Sequence, residues 1–308
     1  MTRPPLHRIA AIYNARSGAH AGLDDDAVAA RLRAGFAAAG VAIDLHPFVF
    51  EDIARIVDDA LESAPDALFV AGGDGTILAV VDALDGHDVP VGLLPCGTMN
   101  MLARDLGIPL EMEAAITALV RGTTRRIDVA RVNGRPFLCA SMIGLFPHLG
   151  RVRERARGGA WWQGIGAALR QALEVLRRYP RVDVQVRTGT GETQRLRSRA
   201  IFVSNNPLDA GASLVPGRAR LDTGYITAYI ATDRSNVDLL RIAIKVLLGR
   251  WQDDAQLHAV QAREVTLGAG RARRIQVMND GEATTMQTPL HYTVDPGALR
   301  VLVPADAP

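Results

Sequence analysis

The chain has 308 residues, of which 48% are hydrophobic, 22% charged and 5% aromatic, and its formal net charge is +2. These proportions are typical of a globular protein of about two domains and exclude disordered and fibrous classes. No apolar run reaches the roughly 18 residues of a membrane-spanning helix and no signal-peptide pattern is present, so we expect a cytoplasmic protein that contacts membranes only peripherally.

The charge is unevenly distributed along the chain. Residues 1–128 contain 10 Arg and 18 Asp or Glu, a net charge of −8, whereas residues 129–308 contain 25 Lys or Arg and 15 Asp or Glu, a net charge of +10. A basic half attracts anionic partners such as nucleic acid, anionic lipid or a phosphorylated substrate. Basic and aromatic residues do not alternate along any strand-like segment, so nucleic acid is not the expected partner.

Several common site motifs are missing from the sequence. The only lysine, Lys245, follows no glycine loop, which excludes a Walker-type phosphate loop. No complete G-x-G-x-x-G, G-x-S-x-G or H-E-x-x-H motif occurs either. The two cysteines, Cys96 and Cys139, cannot build a disulfide framework and are expected to be reduced core residues.

In the first half, short apolar runs alternate with segments of helical periodicity, which predicts a Rossmann-like α/β domain over residues 1–128. The predicted strands are 9–13, 41–45, 67–70 and 89–94, and the predicted helices are 25–39, 51–63, 77–84 and one that begins near residue 99.

In the second half, β-rich segments punctuated by Gly, Pro and Asp predict an antiparallel sandwich or barrel over residues 129–295. Two helical insertions, 161–178 and 235–249, interrupt it. Their apolar stripes are typical of core packing, and a hydrophobic wall for a lipid tail is the alternative. The predicted strands are 201–203, 225–230, 274–277, 290–294 and 299–303.

A glycine-rich segment, Gly72-Gly73-Asp74-Gly75-Thr76, joins a predicted buried strand to a predicted helix. Glycines let the backbone turn tightly and leave main-chain N–H groups open, and the positive end of the helix points to the same place, so this segment favours binding of a phosphate. Asp74 would repel a phosphate unless a divalent cation, or a proton to be removed, lies between them. The alternative is an aspartate that stabilises its own turn.

Two more polar turns follow strands of the same predicted sheet, at residues 14–18 and 97–100. The carboxyl ends of parallel strands share one edge, so we expect these turns to lie near the glycine segment, although a Gly-Thr pair before a helix is also a common cap. Far along the chain stands Asp280-Gly281-Glu282. It is either a plain hairpin turn or a site in which one carboxylate orients or binds metal and the other takes a proton.

In this order, the motifs resemble the diacylglycerol kinase catalytic-domain family, which includes bacterial lipid kinases and the sphingosine and ceramide kinases. The glycine segment alone also occurs in NAD kinases and phosphofructokinases, but the ordered set with the late Asp-Gly-Glu is specific. The matching segments span nearly the whole chain and are residues 14–18, 72–76, 94–100, 127–128, 222–224 and 280–282.

The resemblance implies a nucleotide-binding domain over 1–128, on which residues 296–308 pack back, and a lipid-binding domain over 129–295. It also implies ATP with Mg²⁺ and transfer of phosphate to a hydroxyl of a diacylglycerol-like or long-chain-base lipid. Asp74 would act near the metal or the transferred phosphate, and Glu282, with Asp280 beside it, is the favoured general base, with Asp74 as the alternative. The residues expected to hold the nucleotide are Gly72, Gly73, Gly75 and Thr76, helped by Asn14, Ser17, Gly18, Gly97, Thr98 and Asn100.

The sequence departs from the family pattern at Ala15, Met99, Met101 and Thr223. Thr223 replaces an aspartate that organises a structural metal site in some relatives, which puts a second, structural magnesium in doubt. Two other functions stay open: an NAD kinase-like enzyme, and a catalytically silent nucleotide or lipid sensor. The basic second half favours contact with an anionic membrane surface, and the oligomeric state, monomer or homodimer, is open.

Overall fold

The computed structural model describes residues 6–15, 25–84, 86–144, 182–188, 193–198, 200–209, 217–232, 238, 245, 254, 256–269 and 273–307. The chain forms two compact units, one of Met1–Val129 with Pro296–Pro308 and the other of Ala130–Asp295. The unit boundaries lie inside two strands, β5 (Thr123–Val132) and β16 (Leu290–Val303), so each of these strands contributes to both units.

The first unit is an α/β structure around a parallel sheet. Its strands lie in the order β2-β1-β3-β4, and near its end β16 lies parallel to β4, with Val301 opposite Val91. This arrangement confirms the expected α/β fold class. Besides β5, its elements are β1 (Arg8–Tyr13), α1 (Asp25–Ala38), β2 (Ala42–Pro47), α2 (Ile53–Leu61), β3 (Ala67–Gly72), α3 (Asp74–Ala83), β4 (Val91–Pro95), α4 (Met101–Asp105) and α5 (Met112–Val120).

The central strands of this sheet are continuous apolar runs because a parallel sheet is covered on both faces. Every residue of β3 is buried, and Phe36 of α1 packs edge-on against Phe69 with ring centroids 4.9 Å apart. The ladder between β3 and β4 ends with Gly72 opposite Pro95, and the N–H of Cys96 donates to the carbonyl of Gly72 at 2.9 Å. The segments that follow β3 and β4 therefore begin side by side.

The second unit is a sandwich of two antiparallel sheets, which confirms the expected β fold. One sheet has the order β12-β11-β10-β7-β14-β15, and the other has the order β16-β13-β8-β9. A single core cluster draws Val203 and Val277 from the first sheet and Val265 and Tyr292 from the second. The strands are β6 (Arg135–Phe137), β7 (Ala140–Gly144), β8 (Val182–Thr188), β9 (Thr193–Ser198), β10 (Ala200–Asn205), β11 (Ile226–Ala231), β12 (Leu257–Ala262), β13 (Glu264–Ala269), β14 (Arg274–Asn279) and β15 (Glu282–Gln287).

Some boundaries differ from the sequence-based expectations. Helix α3 begins at Asp74 rather than at residue 77, because the N–H of Ile77 already donates to the carbonyl of Gly73. Helix α4 begins at Met101 rather than near 99, because Asn100 is left-handed with φ 48°. The strands expected at 290–294 and 299–303 are one strand, β16. The helical insertions expected at 161–178 and 235–249 lie outside the described residues, apart from Asp238 and Lys245.

Two expectations drawn from composition concern the cysteines and the membrane. Cys96 and Cys139 are both buried, and neither takes part in a disulfide. Within the described ranges, no helix combines the length and the apolar character that crossing a bilayer requires.

Replacing Gly122 with alanine should destabilise the first unit, because a methyl group at this position would overlap the carbonyl oxygen of Val303 in β16. We expect Gly122→Ala to lower the free energy of unfolding by about 2–3 kcal/mol, measured by urea denaturation. The matched control is Gly268→Ala, whose methyl group would lie 3.6 Å from the nearest atom, the Cβ of Gln185. Equal stability of the two variants would contradict this account of strand docking.

Candidate functional site

The segments after β3 and β4 touch through two glycines. A methyl group on Gly97 would lie only 2.6 Å from the α-carbon of Gly73, and one on Gly73 would lie 3.2 Å from the α-carbon of Gly97. Gly73 itself has φ −86° and ψ 177°, an extended conformation that any residue adopts. Close approach of two main chains, rather than the expected tight turn, is therefore the reason for glycine here.

The carboxylate of Asp74 connects the two helices that follow these segments. Asp74 is the first residue of α3, and its Oδ1 accepts a hydrogen bond of 2.9 Å from the N–H of Met101, the first residue of α4. A negative charge at a helix N-terminus is favoured by the helix dipole. Since the bond uses the main chain of Met101, the departure from the family pattern at this position leaves the interaction intact.

Asn14 attaches the end of β1 to the glycine segment. Its main-chain N–H donates to the carbonyl of Ala71 at 2.8 Å, and its amide Nδ2 donates to the hydroxyl of Thr76 at 3.0 Å. Thr76 is buried, and the missing side chain of Gly72 makes room for it, since a methyl group there would lie 2.6 Å from the Cβ of Thr76. Asn14 and Thr76 thus hold two segments in fixed relation at the sheet edge.

Asn100 shapes the segment after β4. Its Oδ1 accepts from the N–H of Gly97 at 2.8 Å, and its Nδ2 donates to the carbonyl of Gly97 at 2.9 Å. Thr98, between them, is exposed. The structure therefore brings together three predicted groups of residues at one edge: Asn14, the segment from Gly72 to Thr76, and the segment from Gly97 to Asn100. Ser17 and Gly18 lie outside the described residues.

The Asp280-Gly281 pair is a two-residue turn between β14 and β15. Both residues have positive φ, 46° and 95°, as a tight hairpin requires. The Asp280 carboxylate accepts hydrogen bonds from the main-chain N–H groups of Leu138 at 2.6 Å, Cys139 at 2.9 Å and Ala140 at 2.8 Å. These bonds anchor the hairpin to the segment that leads into β7.

Arg218 binds the main-chain carbonyl of Leu138, in the same segment whose N–H groups bind Asp280. This arginine is 4% exposed, and its Nη1 donates to the carbonyls of Leu138 at 2.6 Å and Asn205 at 2.8 Å. Its Nη2 lies 3.2 Å from the sulfur of Cys139. Burial raises the pKa of the Asp280 carboxyl, whereas the three N–H donors and the positive charge of Arg218 act in the opposite direction. Sequence reasoning did not identify Arg218, because nothing in the pattern separates it from the other arginines.

The two acids of the Asp-Gly-Glu motif therefore differ in environment. Asp280 directs its carboxylate oxygens at main-chain N–H groups, whereas Glu282, the first residue of β15, is exposed. Glu282 lies directly opposite Asn279 in the ladder of the hairpin. Of the two, Glu282 is the acid that is accessible to a ligand.

Thr223, one of the residues that depart from the family pattern, binds Asn206 through two hydrogen bonds. Its hydroxyl donates to Oδ1 of the buried Asn206 at 2.6 Å, and its N–H donates to the same atom at 2.8 Å. The neighbouring Asp222 accepts from Nε of Arg220 at 3.1 Å. Across the part of the chain that the structure describes, no three His, Cys, Asp or Glu side chains are grouped to hold a metal ion.

Family models match the chain in two parts: the diacylglycerol kinase catalytic domain over residues 8–132, and the YegS C-terminal NAD kinase beta sandwich-like domain over residues 150–303. A "probable lipid kinase YegS-like" protein of Pseudomonas aeruginosa is 32% identical over 264 residues, covering 83% of each chain. A diacylglycerol kinase of Mycobacterium tuberculosis is 28% identical over 260 residues, covering 82% of each. A crystal structure of a diacylglycerol kinase from Bacillus anthracis shares the fold, with a TM-score of 0.71, 18% identity and 98% coverage of both chains.

Adding a methyl group at Gly97 should separate the two glycine segments and weaken binding of a polyphosphate. We expect Gly97→Ala to raise the dissociation constant for inorganic tripolyphosphate about tenfold or more, because the main-chain N–H groups no longer converge. Isothermal titration calorimetry measures the change, with Gly268→Ala in the second unit as the control. Wild-type affinity in Gly97→Ala would contradict the site.

Proposed function

Because this chain belongs to the diacylglycerol kinase catalytic-domain family, we propose that it transfers the γ-phosphate of ATP to a hydroxyl group of a diacylglycerol-like or long-chain-base lipid. The observation that carries the proposal is the contact between Gly73 and Gly97 at the N-terminus of α3. That contact keeps side chains away from a helix end that attracts phosphate.

In this proposal the nucleotide phosphates bind the main chain of Gly72, Gly73 and Gly75, and the exposed Thr98 supplies a hydroxyl. Three further side chains fix the shape of these segments. Asn14 binds the hydroxyl of Thr76, and Asn100 binds the main chain of Gly97. Positioning of this kind is the main task of a protein in phosphoryl transfer, because the reaction needs little covalent chemistry from the enzyme.

The residues present fit a magnesium ion that arrives with the nucleotide. Mg²⁺ is usually held by one or two carboxylates together with phosphate oxygens rather than by a cage of protein ligands. Asp74, half-buried at the start of α3, is the carboxylate that would hold it. When bound, the ion supplies positive charge that neutralises the phosphate oxygens.

Glu282 is the proposed general base. Its carboxylate takes the proton of the lipid hydroxyl while the hydroxyl oxygen bonds to the γ-phosphorus. The bond from that phosphorus to the oxygen bridging the β- and γ-phosphates breaks, and ADP leaves with the electron pair. Asp280, with its three main-chain hydrogen bonds, holds the hairpin on which Glu282 stands.

The acceptor is proposed to be taken from an anionic membrane surface on the cytoplasmic side. The second half of the chain carries the net positive charge, and Arg187, Arg195 and Arg197 are exposed on β8 and β9. Each such side chain near an anionic leaflet contributes about 1 kcal/mol of attraction. Two of the similar proteins are named a probable lipid kinase and a diacylglycerol kinase. These names favour a lipid, rather than a free nucleotide, as the phosphate acceptor.

Incubation of the purified protein with radiolabelled ATP, Mg²⁺ and mixed micelles tests the proposal directly. We expect label in a lipid phosphate when the micelles contain diacylglycerol or a long-chain base, because the acceptor hydroxyl lies at such a surface. A parallel reaction contains NAD instead of lipid. Label on NAD would identify an NAD kinase-like enzyme, and ATP binding without any labelled product would identify a sensor; both outcomes contradict a lipid kinase.

Two variants test the assigned acids. We expect Asp74→Asn and Glu282→Gln each to lower kcat by about 100-fold or more, since each loses a charge needed in the transition state. Glu264→Gln is the matched control, because Glu264 is an exposed glutamate of the same unit as Glu282. Undiminished labelling in both Asp74→Asn and Glu282→Gln would refute the assigned mechanism.

A further inference from the structure

Two buried hydroxyl groups lie side by side on one face of the six-stranded sheet of the second unit. Ser204 of β10 is directly opposite Thr227 of β11 in their antiparallel ladder. Adjacent residues of a strand project from opposite faces of the sheet, and the neighbours Val203 and Ala228 belong to the core cluster. Ser204 and Thr227 therefore project from the outer face of this sheet, away from the core of the sandwich.

Both hydroxyl groups are buried without a hydrogen bond. Ser204 is 0% exposed and Thr227 is 4% exposed, and neither side-chain oxygen has a hydrogen-bond partner among the residues that the structure describes. Burial raises the pKa of the neighbouring Tyr229, whose phenol accepts from the N–H of Leu208, and the Thr227 hydroxyl lies close enough to lower it. Since buried hydroxyl groups are rarely left unpaired, two adjacent ones indicate a place where a ligand supplies the missing partner.

The outer face changes from polar to apolar along its strands. The hydroxyl pair is level with the turn of the Asp-Gly-Glu motif, because Ser204 is opposite Ala140 of β7, whose carbonyl accepts from the N–H of Asp280. Two residues farther from the turn, each of the four strands carries a large side chain. These residues, directly opposite one another in their ladders, are Met278, Met142, Phe202 and Tyr229.

The apolar row is accessible, because Met142, Phe202 and Met278 are all partly exposed. A face that is polar beside the turn and apolar beyond it matches an amphiphilic molecule whose head group lies toward the turn. We propose that the hydroxyl groups of Ser204 and Thr227 donate hydrogen bonds to the two ester carbonyls of a diacylglycerol-like acceptor. Its acyl chains lie over the apolar row.

This inference rests on the proposed function and decides between the two classes of acceptor named for it. Directly opposite residues place their Cβ atoms about 5 Å apart, a spacing that suits the two neighbouring ester groups of a glyceride. A hydroxyl donor is satisfied by a carbonyl oxygen, whereas the buried ammonium group of a long-chain base requires a carboxylate partner. The carboxylate level with the pair, Asp280, already accepts three main-chain hydrogen bonds and interacts with the charge of Arg218.

Binding of short-chain lipids tests the inference without a need for phosphoryl transfer. We expect 1,2-dihexanoylglycerol to bind the wild type about tenfold more tightly than the diether 1,2-di-O-hexylglycerol, which lacks the carbonyl oxygens. Ser204→Ala and Thr227→Val should each weaken binding of the diester by about threefold to tenfold and leave binding of the diether unchanged. Isothermal titration calorimetry measures the dissociation constants.

Thermal stability separates recognition of the ester from a structural role. Because both hydroxyl groups are buried and unpaired, their removal should leave Tm unchanged or raise it by about 1–3 °C. Ser198→Ala is the matched control, since Ser198 is also a buried serine of the second unit but its hydroxyl is paired with main-chain groups of Ala200 and Ala231. This control should lower Tm and keep the wild-type ratio of diester to diether affinity.

Four results would each overturn the inference: equal affinity of the wild type for diester and diether, an unchanged affinity ratio in both Ser204→Ala and Thr227→Val, a loss of diester binding that accompanies a lower Tm, or tighter binding of sphinganine than of the diester. The radiolabelled ATP assay judges the proposed function separately. Labelling of a long-chain base but not of diacylglycerol would overturn the inference and leave a lipid kinase intact. A diester preference that both variants abolish, in a wild type that labels no lipid, would overturn the proposed function and leave the ester site intact.

Discussion

The candidate phosphate site depends on one steric contact, the approach of the main chain at Gly73 to that at Gly97. Parallel pairing of β3 and β4 places the two segments side by side, and a side chain at Gly97 would push them apart. Their contact lets Asp74 reach the main chain of Met101 and so joins the first turns of α3 and α4. The hydrogen bonds of Asn14 and Asn100 then fix segments whose spacing the glycines already determine.

In the second unit, the negatively charged Asp280 and the positively charged Arg218 bind the same main-chain segment. Asp280 accepts from the N–H groups of the segment from Leu138 to Ala140, and Arg218 donates to the carbonyl of Leu138. A buried charge is tolerated when its hydrogen-bonding capacity is used, and here the peptide groups serve both partners. The consequence is a rigid hairpin that carries an exposed glutamate.

Both Asp74 and Asp280, which the sequence marks as acids for chemistry, accept hydrogen bonds from main-chain N–H groups. Charged hydrogen bonds of this type are stronger than neutral ones and set the geometry of a segment. An acid of a sequence motif can therefore stabilise the fold as well as take part in a reaction. Only the surroundings of its carboxylate in the structure distinguish these two roles.

The sequence by itself determined the fold class of both units, because burial on two sheet faces demands apolar runs such as β3 and a sandwich demands short alternating strands. It also located Gly72 to Thr76, Gly97 to Asn100 and the Asp-Gly turn, since glycine and aspartate after a predicted strand indicate either a turn or a place where a ligand meets bare main chain. Only the tertiary structure showed that Gly73 and Gly97 serve the close contact of two main chains, and that Arg218 and Asp280 bind the same segment from Leu138 to Ala140. Those facts depend on residues far apart in the chain, such as Leu138 and Asp280, whose pairing arises from strand order and register rather than from any local pattern.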